Sequence, residues 1–383
     1  MALAGIRVLE LAGLAPAPFA GMILADFGAK VIRVDRIGVM QIVADQLSRG
    51  KQSICLNLKS AEGVKVFKKM SQAADVLIEP YRPGVMEKMG LGPEILLKEN
   101  PQLIYARMTG FGQSGSFMKR AGHDINYIGL SGVLSFFGRK GENPVPPVNI
   151  MGDFAGGGMP CAMGILIALL ERTRSGKGQV IDANMVQGSA YVSSFLWATH
   201  NMGLAGKERG TNMLDTGAHF YDTYETSDGK YMAVGALEPQ FYQQLLEGLG
   251  LSDSDLPHQM NREDWSSSKK IFAKIFASKT QEEWCRVFDD TDACVTPILT
   301  PEGAARHPHN KKAGTFFEAD DGSTQPNPAP LLSRTPATLR TTKQTNVGND
   351  TTTVLLEAGF SREEIEVLKE KGVVEDKSQT SKL

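Results

Sequence analysis

Residues 5–35 read GIRVLELAGLAPAPFAGMILADFGAKVIRVD. Gly5 to Leu11 has the apolar run of a buried strand, Ala15 to Phe27 a small-residue helical pattern, and Lys30 to Val34 a second buried strand. A strand, a helix and a strand so closely spaced form a βαβ unit, and its two strands lie parallel because the helix carries the chain back to the same end of the sheet. An α/β fold follows, with a parallel sheet covered by helices on both faces. The first turn, ELAGLAPAPFAG, lacks the GxGxxG spacing that cradles a dinucleotide pyrophosphate, so hydride transfer loses most of its support at once.

The same alternation continues outward. Ser53 to Leu58, Asp75 to Glu79 and Leu103 to Met108 read as further strands, with helices at Ala61 to Ala73 and Pro93 to Lys98 between them. In open α/β sheets ligands sit beyond the carboxyl ends of the strands. Arg36, Lys59 and Arg82 fall at three such ends, where Arg binds phosphate bidentately and Lys as a point charge. Together they make a candidate phosphate clamp.

At 383 residues and 41.5 kDa the chain exceeds one compact core. The pattern divides it into a large domain at residues 1–200, completed by residues 330–372, and a smaller α+β domain at 220–318. A linker at 201–219, a return connection at 319–345 and a disordered tail at 373–383 join and end them. The small domain opens on a hairpin, FYDTYETSDGKYMAVGAL, whose Ser227-Asp228-Gly229 turn separates two β-rich runs.

A net charge of −2 and a pI near 6.3 exclude a general nucleic-acid binder. Cys55, Cys161, Cys285 and Cys294 show no CxxC or metal-ligand spacing, so they read as buried thiols, and no bound metal is expected. No run of about 18 consecutive apolar residues reads as a membrane span. The sequence finishes Ser381-Lys382-Leu383, the address read by the peroxisomal import receptor, so a peroxisomal location is expected, with a mitochondrial pool left open.

Two proton-transfer groups bracket the stretch from Ala121 to Gly158: His123 at one end and Asp153 at the other. The Gly- and Pro-rich residues from Gly138 to Pro147 can fold the ends together. A helix is expected from Tyr127 to Phe137, and another starting directly after Asp153 and ending at Arg172. On that reading Asp153 stands at an N-cap, beside unpaired backbone N–H groups and a partial positive charge.

AGHDINYIGLSGVLS, NIMGDFAGGG, GQVIDANMVQGSAY and AVGALEPQFY together resemble the α-methylacyl-CoA racemases, of the family III CoA-transferase superfamily. The resemblance implies a Rossmann-like large domain and an interlocked homodimer. It implies His123 and Asp153 as the two bases and Glu238 as an acid paired with the histidine, in cis or in trans. CoA would be bound at Arg36, at Leu56, Asn57, Leu58 and Lys59, at Pro80, Tyr81, Arg82 and Lys88, and from Gly122 through His123, Asp124, Ile125 and Asn126 to Tyr127. CoA would be part of the substrate, with no separate cofactor. Asn57, Gln187, Thr216 and His219 depart from the family pattern, which bears on substrate range.

The chemistry so implied is interconversion of (2R)- and (2S)-2-methylacyl-CoA thioesters, of branched fatty-acid or bile-acid-intermediate type, by 1,1-proton transfer through an enolate. Backbone N–H groups near Asp124 or Ile125 would stabilise the enolate oxygen. Asp153 must then hold a proton for half the cycle, against the pull of a helix start, so burial or a neighbouring negative charge is required. The alternatives are a CoA transferase in which Asp153 is the nucleophile and a non-catalytic acyl-CoA carrier. Met185, Met202, Met213 and Met232 are candidates for an adaptable apolar surface.

Overall fold

The computed structural model describes residues 1–38, 45–202, 208–339, 341 and 343–377. The chain divides into two units: residues 1–131, 148–192 and 317 onward form the first, and 132–147 with 193–316 the second. The boundary expected at residue 200 therefore falls near 192, and residues 132–147 leave the large domain. Arg139 donates to the Asp222 carboxylate at 3.0 Å, and Arg209 donates to the carbonyls of Ser135 and Glu142, which ties this loop to the second unit.

The first unit begins β1 (Arg7–Leu11), α1 (Pro16–Asp26), β2 (Lys30–Asp35), β3 (Gln52–Leu56), α2 (Ala61–Gln72), β4 (Val76–Glu79), α3 (Val85–Lys88), α4 (Pro93–Glu99), β5 (Ile104–Thr109) and α5 (Asp124–Leu130). A π-helical segment, Ile150–Gly158, runs into α6 (Met159–Ser175), followed by β6 (Val180–Asn184) and α7 (Met185–Val192). The second unit holds α8 (Ser194–Thr199), β7 (Tyr221–Glu225), β8 (Tyr231–Gly235), α9 (Pro239–Leu249), α10 (Trp265–Phe276), α11 (Gln281–Phe288), β9 (Val295–Ile298), α12 (Pro301–Arg306) and α13 (Pro308–Ala313). The chain goes on through the paired β10 (Phe316–Glu318) and β11 (Thr324–Pro326), then α14 (Thr351–Glu357), α15 (Arg362–Glu370) and β12 (Val374–Glu375).

The large sheet has the order β12-β3-β2-β1-β4-β5-β6 and is parallel except for the antiparallel β12–β3 pair. Its six parallel strands follow the dinucleotide-fold order even though the glycine fingerprint is missing, so the switch point lies between β1 and β4. Side chains alternate across the sheet: Leu9 and Leu11 pack in one core with Phe67, Leu96 and Leu355, whereas Val8 packs in the other with Leu24, Ile104 and Ile165. Val373 and Val374 are buried, and β12 covers the edge of β3. The expectation of a disordered tail from residue 373 is thus overturned for 373–377, because two adjacent valines find a strand edge to pair with. Ser381-Lys382-Leu383 lie outside the described residues.

Residues Ile150–Ser175 are long and apolar enough to cross a membrane by length and composition alone. In the fold they form a core element: Cys161, Ala162, Ile165 and Ala168 are buried, and Cys161 and Ile165 pack with Ile104 and Ala106 of β5.

Arg49-Gly50-Lys51 is committed to the interior. Arg49 bonds the Asp26 carboxylate at 2.7 Å, and Lys51 Nζ donates to both Glu10 oxygens at 2.9 and 2.8 Å and to the Pro18 carbonyl. Glu10 is fully buried, and a Cβ at residue 21 would lie 1.6 Å from its carboxylate, so Gly21 makes room for it. Burial pushes the Glu10 carboxyl up to about 7 despite Lys51. A carboxyl raised in the fold contributes stability that is present below its unfolded value and lost as pH rises through the folded one. Lys51→Met removes the compensating charge, so it should cost roughly 3–5 kcal/mol once Glu10 must ionise. The deficit in urea unfolding should therefore be larger at pH 8 than at pH 6. An equal loss at both would reject this account.

In the second unit β7, β8 and β9 form an antiparallel sheet against α9, α10 and α11, with Phe220, Phe272, Phe276, Trp284 and Phe288 in the core. The expected hairpin is present, closed by the Thr226 N–H donating to the Lys230 carbonyl. Met232 is buried in this core and Met185 in the other, so neither belongs to an adaptable surface; Met202 is exposed. Cys55 and Cys161 are buried as expected, but Cys294 is exposed.

Candidate active site

His123 stands at the N-cap of α5 in extended backbone, exposed, with its N–H donating to Asn126 Oδ1 at 3.0 Å. Tyr127, one turn on, seats the preceding loop. Its hydroxyl donates to the Gly122 carbonyl, its ring meets Phe111 edge-on at 4.9 Å, and a Cβ at Gly110 would fall 2.1 Å from that ring. The helix expected to reach Phe137 stops at Leu130, because Gly132 adopts a φ of +81° and a separate 3-10 turn, Val133–Phe136, follows.

Asp153 is not the N-cap of a long α-helix. It lies in the first turn of the π-helical segment, and the carboxylate serving that helix start comes from Asp124, 28 residues before Gly152. Asp124 Oδ2 accepts from the backbone N–H of Gly152 at 2.6 Å and of Asp153 at 2.7 Å. The residue next to His123 is thereby bonded directly to the backbone of Asp153. The glycines of GDFAGGG permit the close approach. A Cβ at Gly152 would sit 2.6 Å from Asp124 Oδ2, one at Gly156 2.3 Å from Ser189 Oγ, and one at Gly158 2.7 Å from the Pro16 carbonyl.

Asp153 is half-buried, and its Oδ2 accepts from Asn149 Nδ2 at 3.0 Å. Its carboxyl is raised above the ordinary aspartate value. Burial is the main cause, opposed by the Asn149 hydrogen bond, helped by the Asp124 charge and opposed by His123. Of the two alternatives expected to offset a helix start, burial contributes most and the neighbouring negative charge adds to it. Asn149 was missed, although its spacing of four from Asp153 on a helical segment was the available signal.

The clamp positions lie along one edge of the sheet. Arg36 follows β2, Leu56 to Lys59 end and follow β3, and Pro80 to Lys88 follow β4. Arg36, Lys59, Arg82 and Lys88 are exposed. The Arg36 guanidinium lies over the Tyr81 ring, 5.6 Å from its centre. The Leu56 and Leu58 side chains pack into the core, and Asn57 Oδ1 accepts from the Lys59 N–H, so this segment offers its backbone and Lys59. Pro80 packs over Gly13 at the switch point, where a Cβ would lie 2.5 Å from the proline ring.

Beneath the clamp, buried Glu79 accepts from the Tyr81 N–H at 3.1 Å and from Arg107 Nε at 2.8 Å, while Arg107 Nη1 reaches Glu87 of α3 at 2.8 Å. Burial pushes the Glu79 carboxyl up to about 7. This network anchors the loop that carries Tyr81 and Arg82 and the helix α3 that carries Lys88, and it is not legible in the sequence, since Glu79 and Arg107 are 28 residues apart. Glu238 belongs to the second unit, exposed at the N-cap position of α9.

Comparison with known proteins matches residues 3–351 to the model of CoA-transferase family III. Alpha-methylacyl-CoA racemase of Mus musculus is 58% identical over 375 residues, covering 98% of both chains, and that of Homo sapiens is 57% identical with the same coverage. The crystal structure of a CAIB/BAIF family protein from Brucella suis superposes with a TM-score of 0.77 over 93% of this chain and 99% of its own, at 24% identity, a likeness of fold alone. The parallel sheet, the family match and two relatives aligned along nearly their whole length agree, and the chain belongs to CoA-transferase family III.

Proposed function

We propose that this chain is an isomerase that interconverts the (2R) and (2S) epimers of 2-methylacyl-CoA thioesters, as the names of its two racemase relatives describe. The observation that carries the reading is the Asp124 carboxylate, which joins the backbone of Asp153 to the residue beside His123. An imidazole and a carboxyl raised by burial are a suitable pair for giving and taking one proton.

Either base removes the α-hydrogen, and the C–H electron pair moves into the thioester to give an enolate. The other base, already protonated, returns a proton to the opposite face, and the two groups have exchanged protonation states. The first N–H groups of α5, at Asp124 and Ile125, have no intrahelical acceptor and are available to the enolate oxygen, where one well-placed donor contributes about 3 kcal/mol. Arg36, Lys59, Arg82 and Lys88 would hold the CoA phosphates. Arg36→Ala should raise KM about tenfold at unchanged kcat, as expected of a group that binds ground and transition states equally. A fall in kcat with KM unchanged would remove Arg36 from the clamp.

The test of the function is to incubate one pure 2-methylacyl-CoA epimer with the protein in D2O and follow chirality and deuterium together. Epimerisation with α-deuteration in the absence of an acceptor acid supports the racemase. Acyl exchange that needs an acceptor acid and leaves the α-carbon untouched supports a transferase instead.

A homodimer goes with this reading. Met163, Leu166, Ile167 and Leu170 of α6 are exposed at helical spacing, a stripe suited to a second copy of the chain. Sedimentation showing a monomer at micromolar concentration would count against it. The peroxisomal reading of Ser381-Lys382-Leu383 also stands as a proposal, and a fluorescent fusion that stayed diffuse with the tripeptide intact would refute it.

A further inference from the structure

Asp124 is the residue through which the two bases are connected. The residue is 5% exposed, and Oδ2 accepts from the backbone N–H groups of both Gly152 and Asp153. Its other oxygen, Oδ1, is buried with no hydrogen-bond partner among the described residues. A carboxylate kept in the interior with one oxygen idle is costly as a mere helix cap, since an asparagine or serine would serve at an N-terminus without the charge. Gly152 is its complement, for any larger residue there would displace the carboxylate.

We infer that Asp124 is a positioning residue for the two-base reaction: its carboxylate fixes the separation of His123 and Asp153 through the N–H groups of residues 152 and 153. The inference rests on the proposed racemase reading and concerns how its two bases are spaced. His123 is the adjacent residue, one peptide unit away, and Asp153 is held by its own amide, so a change in the Asp124 side chain moves one base relative to the other. Misplacement by about 1 Å is enough to cost about a hundredfold in rate.

The charge of Asp124 has a second consequence. Among the described residues the charged groups acting on Asp153 are Asp124 and His123, with the neutral Asn149 hydrogen-bonded to it and the Tyr127 hydroxyl close enough to feel its charge. The residues of α1 and α7 that meet the glycine run, Pro16, Phe19, Met185 and Ser189, are all uncharged. Neutralising Asp124 therefore removes a negative charge that favours a proton on Asp153.

The experiment compares Asp124→Asn, Asp124→Ala and Gly152→Ala with the unmodified protein, using (2S)-2-methyldecanoyl-CoA as probe. Asparagine keeps an oxygen for both N–H groups. Asp124→Asn should hold kcat within about tenfold while the limb of the pH profile belonging to Asp153 moves to lower pH. Asp124→Ala and Gly152→Ala should lower kcat about a hundredfold with KM changed less than about threefold. Asp124→Asn decides if the alanine variants fail to fold. An unmoved pH limb in Asp124→Asn, or a normal kcat in folded Asp124→Ala, overturns the inference. An unmodified protein that leaves the probe's chirality unchanged overturns the racemase reading instead.

Discussion

Asp153→Asn and His123→Ala should each abolish epimer interconversion, with kcat lower by about 10³-fold or more, because the reaction needs a proton taken on one face and another returned on the opposite face. Asparagine retains the volume of Asp153 and its place beside Asn149, so CoA-thioester affinity should survive. The variants should also be asymmetric. With Asp153 gone, His123 can still exchange the α-proton of one epimer with solvent without inverting it, and with His123 gone the converse holds for Asp153. Chiral separation of the thioester after incubation in D2O, beside an affinity measurement with the unreacted thioester, resolves both effects. Substantial racemisation in either variant would reject the two-base assignment.

Gly188→Ala should damage the site from outside it. The added Cβ would stand 1.7 Å from the carbonyl oxygen of Gly156, a contact only backbone movement can relieve. Helix α7 and the π-helical segment lie together because Gly156 and Gly188 face each other, with Ser189 Oγ donating to the Met151 carbonyl nearby. Overpacking of this kind costs about 3 kcal/mol. The displacement falls on the segment that carries Asp153, so activity should drop more than the loss of folded protein explains. Denaturant unfolding and kcat measured on the same preparation test this. Wild-type stability with wild-type kcat would show that the two segments separate without cost.

The parallel sheet was legible because its strands are local apolar runs separated by helices of ordinary spacing. Residues 5–35 alone carried βαβ geometry, and Arg36, Lys59 and Arg82 follow β2, β3 and β4 as strand-end logic required. Less legible was whatever depended on a distant partner. Asp153 looked like a helix cap because it precedes an apolar run, yet the cap is Asp124, and nothing near residue 153 announces it. The loop at 132–147 lies between the two bases in sequence but belongs to the second unit through Asp222 and Arg209. Val373 and Val374 sit beside a polar run, and a two-residue strand has no periodicity to read. Glu79 and Arg107 were invisible for the same reason: each is unremarkable until the adjacency of β4 and β5 brings them together.

The pairing of β12 with β3 also bears on the order in which a nascent chain can fold. The β3 edge of the large sheet stays open until residues 374 and 375 have been made, whereas the last residue of the second unit, Phe316, is made well before them. During synthesis, where units fold as they emerge, the later-starting body can be complete before the earlier-starting one. For much of translation the growing polypeptide therefore presents an uncapped row of β3 amides and carbonyls, the interval in which chaperone binding would matter most.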